Sequence, residues 1–215
     1  MKKISIEFFH DILCSYCFPM SFKMRKLVKE NPDIEIVHRS FALISNLEDF
    51  KTMFGSREAA KEEILSHWEH ANQIDELHRM NIEGMKKQNF LFPISMPSLY
   101  AVKAAGIVGG QSAYWDLFDS LQHAFFVENK NVEKHEVIYE CVDKTDLDHK
   151  KWKEHFDSDR VKDAVYEDFK LVAKYKIEEV PTLVINGKYK ISGAHPYEDL
   201  LKVINKISEE IKNIN

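Results

Sequence analysis

Strand-like patterning is confined to the two ends of this chain, and that restricts its fold more than any other feature. Near the start, Ile4, Ile6 and Phe8 alternate with Ser5 and Glu7, the period of two that sends successive side chains to opposite faces of a strand. The stretch "FPMSFKMRKLVKENPD" follows. Phe18, Phe22, Met24, Leu27 and Val28 recur at helical spacing, Lys26 and Lys29 suit a helix C-terminus, and Asn31-Pro32 ends the run. "DIEIVHRSFAL" then alternates again through Ile34, Ile36 or Val37, and Phe41. Strand, helix and strand with short joints require parallel pairing and a right-handed crossover.

Strand patterning returns only at "VPTLVINGKYKISG". Residues 182–185 form a β-rich run, Asn186-Gly187 is the strongest short hairpin signal, and "KYKIS" supplies the returning strand. Pro196 stands where a helix should start, and Glu198 and Asp199 favour its positive end. Leu200, Leu201, Ile204 and Ile207 mark its buried face. The order is β-α-β, a helical block, then β-β-α, so the two ends must meet to complete one sheet.

The helical block spans residues 45–175. Ile64, Trp68, Ala71 and Ile74 make one stripe, and Tyr114, Leu117, Phe118, Leu121 and Phe125 a second. Val161, Ala164, Val165 and Val172 make a third, with Ser158 as its N-cap. "FLFPISMPS" and "GIVGGQS" carry the Pro and Gly that mark loops. The expected architecture is α/β. Residues 1–44 and 176–215 form one discontinuous domain, and 45–175 form a large inserted α-helical domain. At 215 residues the chain is long enough to bury a sizeable core in this way.

Charge and composition narrow the function classes. The net charge of −5 and the lack of a long basic block argue against nucleic acid and anionic membranes as partners. No apolar run is long enough to cross a bilayer. Glu7, His10 and Asp11 interrupt the segment after Lys2 and Lys3 where a secretory signal would need unbroken apolar residues, so a cytoplasmic location is expected. Three cysteines are too few, and odd in number, for a disulfide-stapled scaffold.

Two of those cysteines, Cys14 and Cys17 in "HDILCSYCFPM", stand where the first strand gives way to the first helix. The spacing alone leaves three readings open: metal ligands, a chance buried pair, or a redox couple. Zinc needs two further soft ligands, and the chain offers no second Cys-x-x-Cys, only ten scattered histidines and Cys141. Free cysteine is also a good core residue in its own right. For the redox reading, a helix starting near Cys14 would surround its sulfur with unpaired N–H groups at the positive dipole end, which favours thiolate. Cys17, one turn further in, would be less exposed and placed to resolve a mixed disulfide at Cys14. Cys-x-x-Cys beside a βαβ pattern is the usual mark of a thioredoxin fold.

A second element supports the redox couple. Pro181 stands at a strand entrance, where a cis Val180-Pro181 bond reconciles proline with the sheet. An ordinary trans proline opening an edge strand is the commoner arrangement, but the co-occurrence with the cysteine-bearing turn favours cis. The cis bond would also turn the Val180 backbone outward toward an extended substrate.

With "FFHDILCSYCFP", "MPSLYAVKAA" and "VPTLVINGKYKISGAHPYEDLL", the chain resembles the DsbA-like thioredoxin-fold oxidoreductases, and within them the cytosolic FrnE-type branch. The resemblance spans nearly the whole chain. It implies that Cys14 and Cys17 are the redox pair, that Pro181 is the cis-proline facing them, and that Asp11 is the acid preceding the motif. The chain departs from the family in having Ser15 where proline is usual after the first cysteine, and Glu179 where glycine often precedes Val-Pro. Ser15 and Tyr16, between the cysteines, bear on thiol ionisation and potential, so the direction of electron flow stays open. His10 and Asp11 are close enough in sequence to bear on it too.

The remaining candidates suit plainer structural roles. His67 and His70 in "HWEH" share a helix face but lack a clear third ligand, so a solvated or half-buried face is expected. Cys141 shares a stripe with Val137, Ile138 and Val142 and is read as core, and His195 is read as a helix lead-in. Phe90, Phe92, Met96 and Tyr100 suit packing between two lobes or an apolar groove.

The expected activity is thiol–disulfide exchange, with Cys14 as nucleophile, Cys17 resolving, and Val180 and Pro181 orienting substrate. It requires no organic cofactor and no metal. Partners are protein or small-molecule thiols and disulfides, with glutathione or a thioredoxin-like reductant as candidates. Two alternatives share the architecture: a kappa-type glutathione transferase or isomerase, and a non-enzymatic protease adaptor.

Overall fold

The computed structural model describes residues 4–213. Strand β1 (Ile4–His10) leads into helix α1 (Cys17–Glu30) and strand β2 (Ile34–Ser40). The helical stretch contains α2 (Leu47–Phe54), α3 (Ala60–Ile74), α4 (Ile82–Lys87) and α5 (Met96–Phe126). It continues with α6 (His135–Asp143), α7 (His149–Phe156) and α8 (Asp159–Tyr175). Strands β3 (Thr182–Ile185) and β4 (Tyr189–Ser192) and helix α9 (Tyr197–Asn213) complete the chain.

The two ends do form one sheet, in the order β2-β1-β3-β4. β1 pairs parallel with β2 and antiparallel with β3, and β3 pairs antiparallel with β4. Ile6 stands level with Ile36 on one side and Ile185 on the other, which builds an aliphatic layer across the middle of the sheet. Because β1 is central and covered on both faces, Ile6, Phe8 and Phe9 are all fully buried. Each such side chain contributes on the order of 2 kcal/mol by leaving water. Asn186 and Gly187 both take positive φ, and the Lys188 N–H closes the turn on the Ile185 carbonyl. That is the twist a tight hairpin demands.

Several local expectations are corrected. "GIVGGQS" is not a loop: α5 runs through it and breaks only at Gly110, whose φ of 72° a side chain would resist. Phe22 and Ile74 are partly exposed rather than core, and the Arg79 guanidinium lies 5.3 Å from the Phe22 ring. Helical spacing gave the direction of each stripe but not how far round the helix its burial extends. Ser158 takes the N-cap position of α8, yet its hydroxyl donates to the His155 carbonyl instead of accepting from the helix. α9 begins one residue after Pro196, whose carbonyl accepts from Leu200.

Helix α5 carries much of the link between sheet and helices. Tyr114, Trp115 and Phe118 from its second half pack against His38 of β2, and Tyr114 and Phe118 also against His10 of β1. Cys141 is buried in the core with Ile138 and Val142. Among the described residues no helix is long and apolar enough to cross a membrane.

Candidate active site

β1 delivers the chain at His10 into a tight turn before α1. Within it the Cys14 N–H donates to the Asp11 carbonyl, and the Cys17 N–H to the Cys14 carbonyl. The regular helix therefore begins at Cys17, three residues later than a start at Cys14. The Cys17 N–H also reaches Cys14 Sγ at 3.2 Å. The sulfur thus occupies the place that a side-chain oxygen takes at an ordinary helix N-cap.

On its other side, the Cys14 thiol donates to the Val180 carbonyl at 3.4 Å. The Val180-Pro181 peptide is cis, so the proline segment at the entrance to β3 faces the cysteine loop although 166 residues separate them. Cys14, Cys17 and Cys141 are free thiols. Cys17 is fully buried. Burial, the hydrogen bond and charge interaction with Cys14, and the negative charge of Asp11 all push its thiol well above the usual range.

Asp11 is fully buried. Burial pushes its carboxyl up to about 6, against the opposing pull of its hydrogen bonds. Oδ1 accepts from the Leu13 N–H at 3.0 Å, and Oδ2 accepts from the Leu43 N–H at 2.7 Å and from Ser95 Oγ. Gln122 of α5 donates through Nε2 to the Asp11 and Ile12 carbonyls. Ser95, Leu43 and Gln122 support the site from far along the chain, and nothing in the residue pattern marks them. The place of Ser95 just ahead of "MPSLYAVKAA" is the one available hint.

His10 does not turn toward the sulfurs. Its Nε2 lies 2.9 Å from His38 Nδ1, and its ring packs on Phe118. Burial holds both imidazoles well below the ordinary histidine range, reinforced at His10 by His38 and at His38 by Arg25. Ser15 is buried and Tyr16 half-buried, while Glu179 is exposed. His195 accepts from Lys23 through its carbonyl ahead of α9.

Beside Cys14 lies a cavity of about 190 Å³. Leu13, Cys14, Ser15, Tyr16 and Val180 form its sheet side; Phe50, Met53, Phe54, Ile64, His67 and Trp68 from α2 and α3 form the opposite wall. Leu43, Ile44, Phe92 and Pro93 complete it. Phe92 thus reaches the cavity, while Phe90, Met96 and Tyr100 do not. His67 is exposed, as its spacing suggested, yet it sits at this wall. Among the described residues, no group of three or more His, Cys, Asp or Glu is arranged to hold a metal ion.

A parallel βαβ unit closed by an antiparallel hairpin, with two cysteines at the first helix and a cis-proline opposite, defines the thioredoxin class. The DSBA-like thioredoxin domain family matches residues 5–205, and the chain belongs to that family. Among curated proteins it is similar to the ClpXP adapter protein SpxH of Halalkalibacterium halodurans, 24% identical over 212 residues, covering 94% of this chain and 67% of that one. SpxH of Bacillus subtilis is 24% identical over 205 residues, covering 92% and 65%. The chain therefore spans about two thirds of the length of these relatives. Among solved structures it is similar to a candidate protein disulfide isomerase from Nitrosomonas europaea, with TM-score 0.78, 18% identity, and coverage of 97% and 98%. It is also similar to the cytosolic disulfide reductase DsbM from Pseudomonas aeruginosa, with TM-score 0.70, 15% identity, and coverage of 94% and 99%. At those identities the two structures speak for the fold.

Proposed function

We propose that this protein is a thiol–disulfide oxidoreductase in which Cys14 is the nucleophile and Cys17 the resolving thiol. The observation that carries the reading is the position of Cys14 Sγ, between the Cys17 N–H and the Val180 carbonyl at the edge of an apolar cavity. The Cys17 N–H meets the Cys14 sulfur where it borders the cavity, and the deeper Cys17, its thiol raised by burial, stays protonated until it is needed. In the forward direction the Cys14 thiolate attacks one sulfur of a substrate disulfide. The other half leaves as a thiolate and takes up a proton. Cys17 then gives up its proton and attacks Cys14 Sγ, which releases the second substrate thiol and leaves a Cys14–Cys17 disulfide. A dithiol, or two equivalents of a monothiol, returns the pair to the reduced state.

In this reading residues 1–44 and 176–215 carry the thiols and the cis-proline, and the inserted residues 45–175 supply the far wall of the cavity. Val180 and Pro181 orient the substrate, Asp11, Ser15 and Tyr16 adjust the thiols, and His10 acts only through packing. The likeness to a cytosolic disulfide reductase supports a cytoplasmic location, and placement near the FrnE-type branch rests on the sequence resemblance alone. A related DsbM structure holds glutathione, which supports thiols of low mass as partners.

The test is a redox titration in glutathione buffers of the wild type beside Cys14→Ser and Cys17→Ser. Expected are reversible two-electron behaviour in the wild type and a trapped mixed disulfide in Cys17→Ser but not in Cys14→Ser. No mixed disulfide in Cys17→Ser would overturn the assignment.

The similarity to SpxH supports a second reading, a ClpXP adapter. Leu47 and Met53 of α2 and Leu91 are apolar and exposed, as a protein-binding surface requires. That role would survive the double substitution Cys14→Ala with Cys17→Ala, whereas the oxidoreductase would lose all turnover.

A further inference from the structure

We infer that the cavity beside Cys14 selects substrates bearing one ring-sized apolar group next to the scissile disulfide, and that it ranks glutathione disulfide below them. The inference rests on the dithiol reading above and names the substrate class of the same site.

Size comes first. An apolar protein cavity of roughly 150 Å³ is enough to take up benzene, and this one measures about 190 Å³. It has room for one phenyl group or one branched aliphatic side chain, and none for a tripeptide. Its walls are the rings of Phe50, Phe54, Trp68 and Phe92 and the aliphatic ends of Ile44 and Ile64. A phenyl group entering it leaves water for contacts of its own kind.

Charge is the second observation. Among the described residues, no lysine, arginine, aspartate or glutamate lines the cavity, and His67 is the one basic side chain on its wall. Arg57, in the link between α2 and α3, and Lys61 of α3 are already engaged. The Arg57 guanidinium lies over the Phe50 ring and donates to the Phe92 carbonyl and to Glu133. Lys61 donates to the carbonyls of Lys86 and Gln88. Each half of glutathione disulfide brings two carboxylates, and burying these without a free cation is unfavourable.

The chemistry follows directly. Cys14 Sγ bonds to the sulfur bearing the ring group while that group occupies the cavity. The substrate S–S bond breaks, and the other half departs as a thiolate that takes up the proton Cys14 has lost. Attack by Cys17 then frees the ring-bearing thiol, and a dithiol reductant supplies the two electrons for the next turnover.

The ring can come from a small aryl disulfide or from a Phe or Leu flanking a cystine in a polypeptide. The experiment measures the rate constant for oxidation of the reduced wild-type protein by four disulfides: dibenzyl disulfide, glutathione disulfide, and two cystine peptides that differ only in Phe or Ser beside the cysteine. Each rate is divided by the rate of dithiothreitol with the same disulfide, which removes differences in leaving-group reactivity. A ring-bearing substrate should gain about 30-fold over its ring-free partner, the factor expected for burying one ring. A gain for dibenzyl disulfide alone identifies a small-molecule substrate, a gain for the Phe peptide alone a polypeptide, and both support the inference. Ile64→Trp, which fills the cavity, should abolish the gain while circular dichroism stays native. Toluene should perturb Trp68 fluorescence in the wild type but not in that variant. Equal normalised rates for all four disulfides overturn the selectivity and leave the dithiol reading standing. Absence of exchange with every disulfide overturns both.

Discussion

Ser95 Oγ donates to Asp11 Oδ2 at 2.6 Å and accepts from the Ile44 N–H at 3.1 Å. One hydroxyl at the start of α5 thereby fastens the acid ahead of the cysteines to the loop that leaves β2. Ser95→Ala takes the donor from a fully buried carboxyl and the acceptor from a buried amide. A buried polar group left without its partner costs about 1–3 kcal/mol, which for a chain of this length lowers the melting temperature by roughly 5 °C. An unchanged melting temperature would show that water or a neighbour replaces the hydroxyl at no cost.

Asp11 should also leave a mark on stability as a function of pH. Its carboxyl titrates at about 6 in the folded chain against an ordinary 3.8. Between those values the folded state holds the proton that the unfolded state has lost, so this group makes stability fall as pH rises from about 4 to about 6. The loss is on the order of 3 kcal/mol. His10 and His38 act in the opposite sense. Their folded values are lowered, so their contribution is present above about 6.5 and lost as pH falls below it. Urea denaturation at stepped pH separates the two: Asp11→Asn should steepen the net rise in stability with pH between 4 and 6, and the paired change His10→Leu with His38→Leu should flatten it. Parallel curves for wild type and Asp11→Asn would rule out the raised carboxyl.

What could be read from the sequence, and what could not, follows from the range of the forces involved. Local periodicity and turn chemistry placed β1, α1, β2 and the Asn186-Gly187 hairpin, because each depends on neighbours within a few residues. The joining of the two ends followed from the strand count, and the cis Val180-Pro181 bond from the pairing of a strand-entrance proline with a cysteine-bearing turn elsewhere in the chain. The supports of the site were not legible. Ser95, Leu43 and Gln122 meet Asp11 only through tertiary packing, and a serine or glutamine on a helix carries no mark of what it will touch. His10 shows the converse. Nearness to Cys14 in sequence made it a candidate, but the direction of its side chain from β1 sends it to His38 and α5. Helical periodicity gave the axis of α5, yet could not show that Gly110 would bend the helix without ending it.

Asp168 of α8 holds a second buried junction. It is almost wholly enclosed, accepts from the Ser40 N–H at 2.8 Å, pairs with Lys103 of α5, and lies 3.4 Å from Arg39. Burial pushes the Lys103 ammonium down and Asp168 pulls it back up. Asp168→Ala would strand that ammonium with no counter-charge, at a cost of about 3–5 kcal/mol. Lys170→Ala, which breaks the exposed pair with Glu167 one turn along the same helix, should cost less than about 1 kcal/mol. Denaturant midpoints measured side by side decide it, and similar losses for the two variants would contradict the buried junction.

The two active-site thiols should be chemically distinguishable. Cys17 is fully enclosed, and burial, the hydrogen bond with Cys14 and the charge of Asp11 all raise its thiol. Cys14 borders the cavity, so a small alkylating reagent has a route to it. Iodoacetamide added to the reduced native protein near neutral pH should therefore label Cys14 first. Cys17 should react only after denaturant is added, and so should Cys141, whose thiol burial also raises. Peptide mass mapping over time gives the order directly. Asp11→Asn removes a negative charge that raises Cys17, so the variant should bring forward the pH at which Cys17 begins to react while leaving Cys14 first in order. Labelling of Cys17 ahead of Cys14 in the native protein would reverse the roles of the two sulfurs, because the thiol that meets reagent first is the one a substrate disulfide can reach.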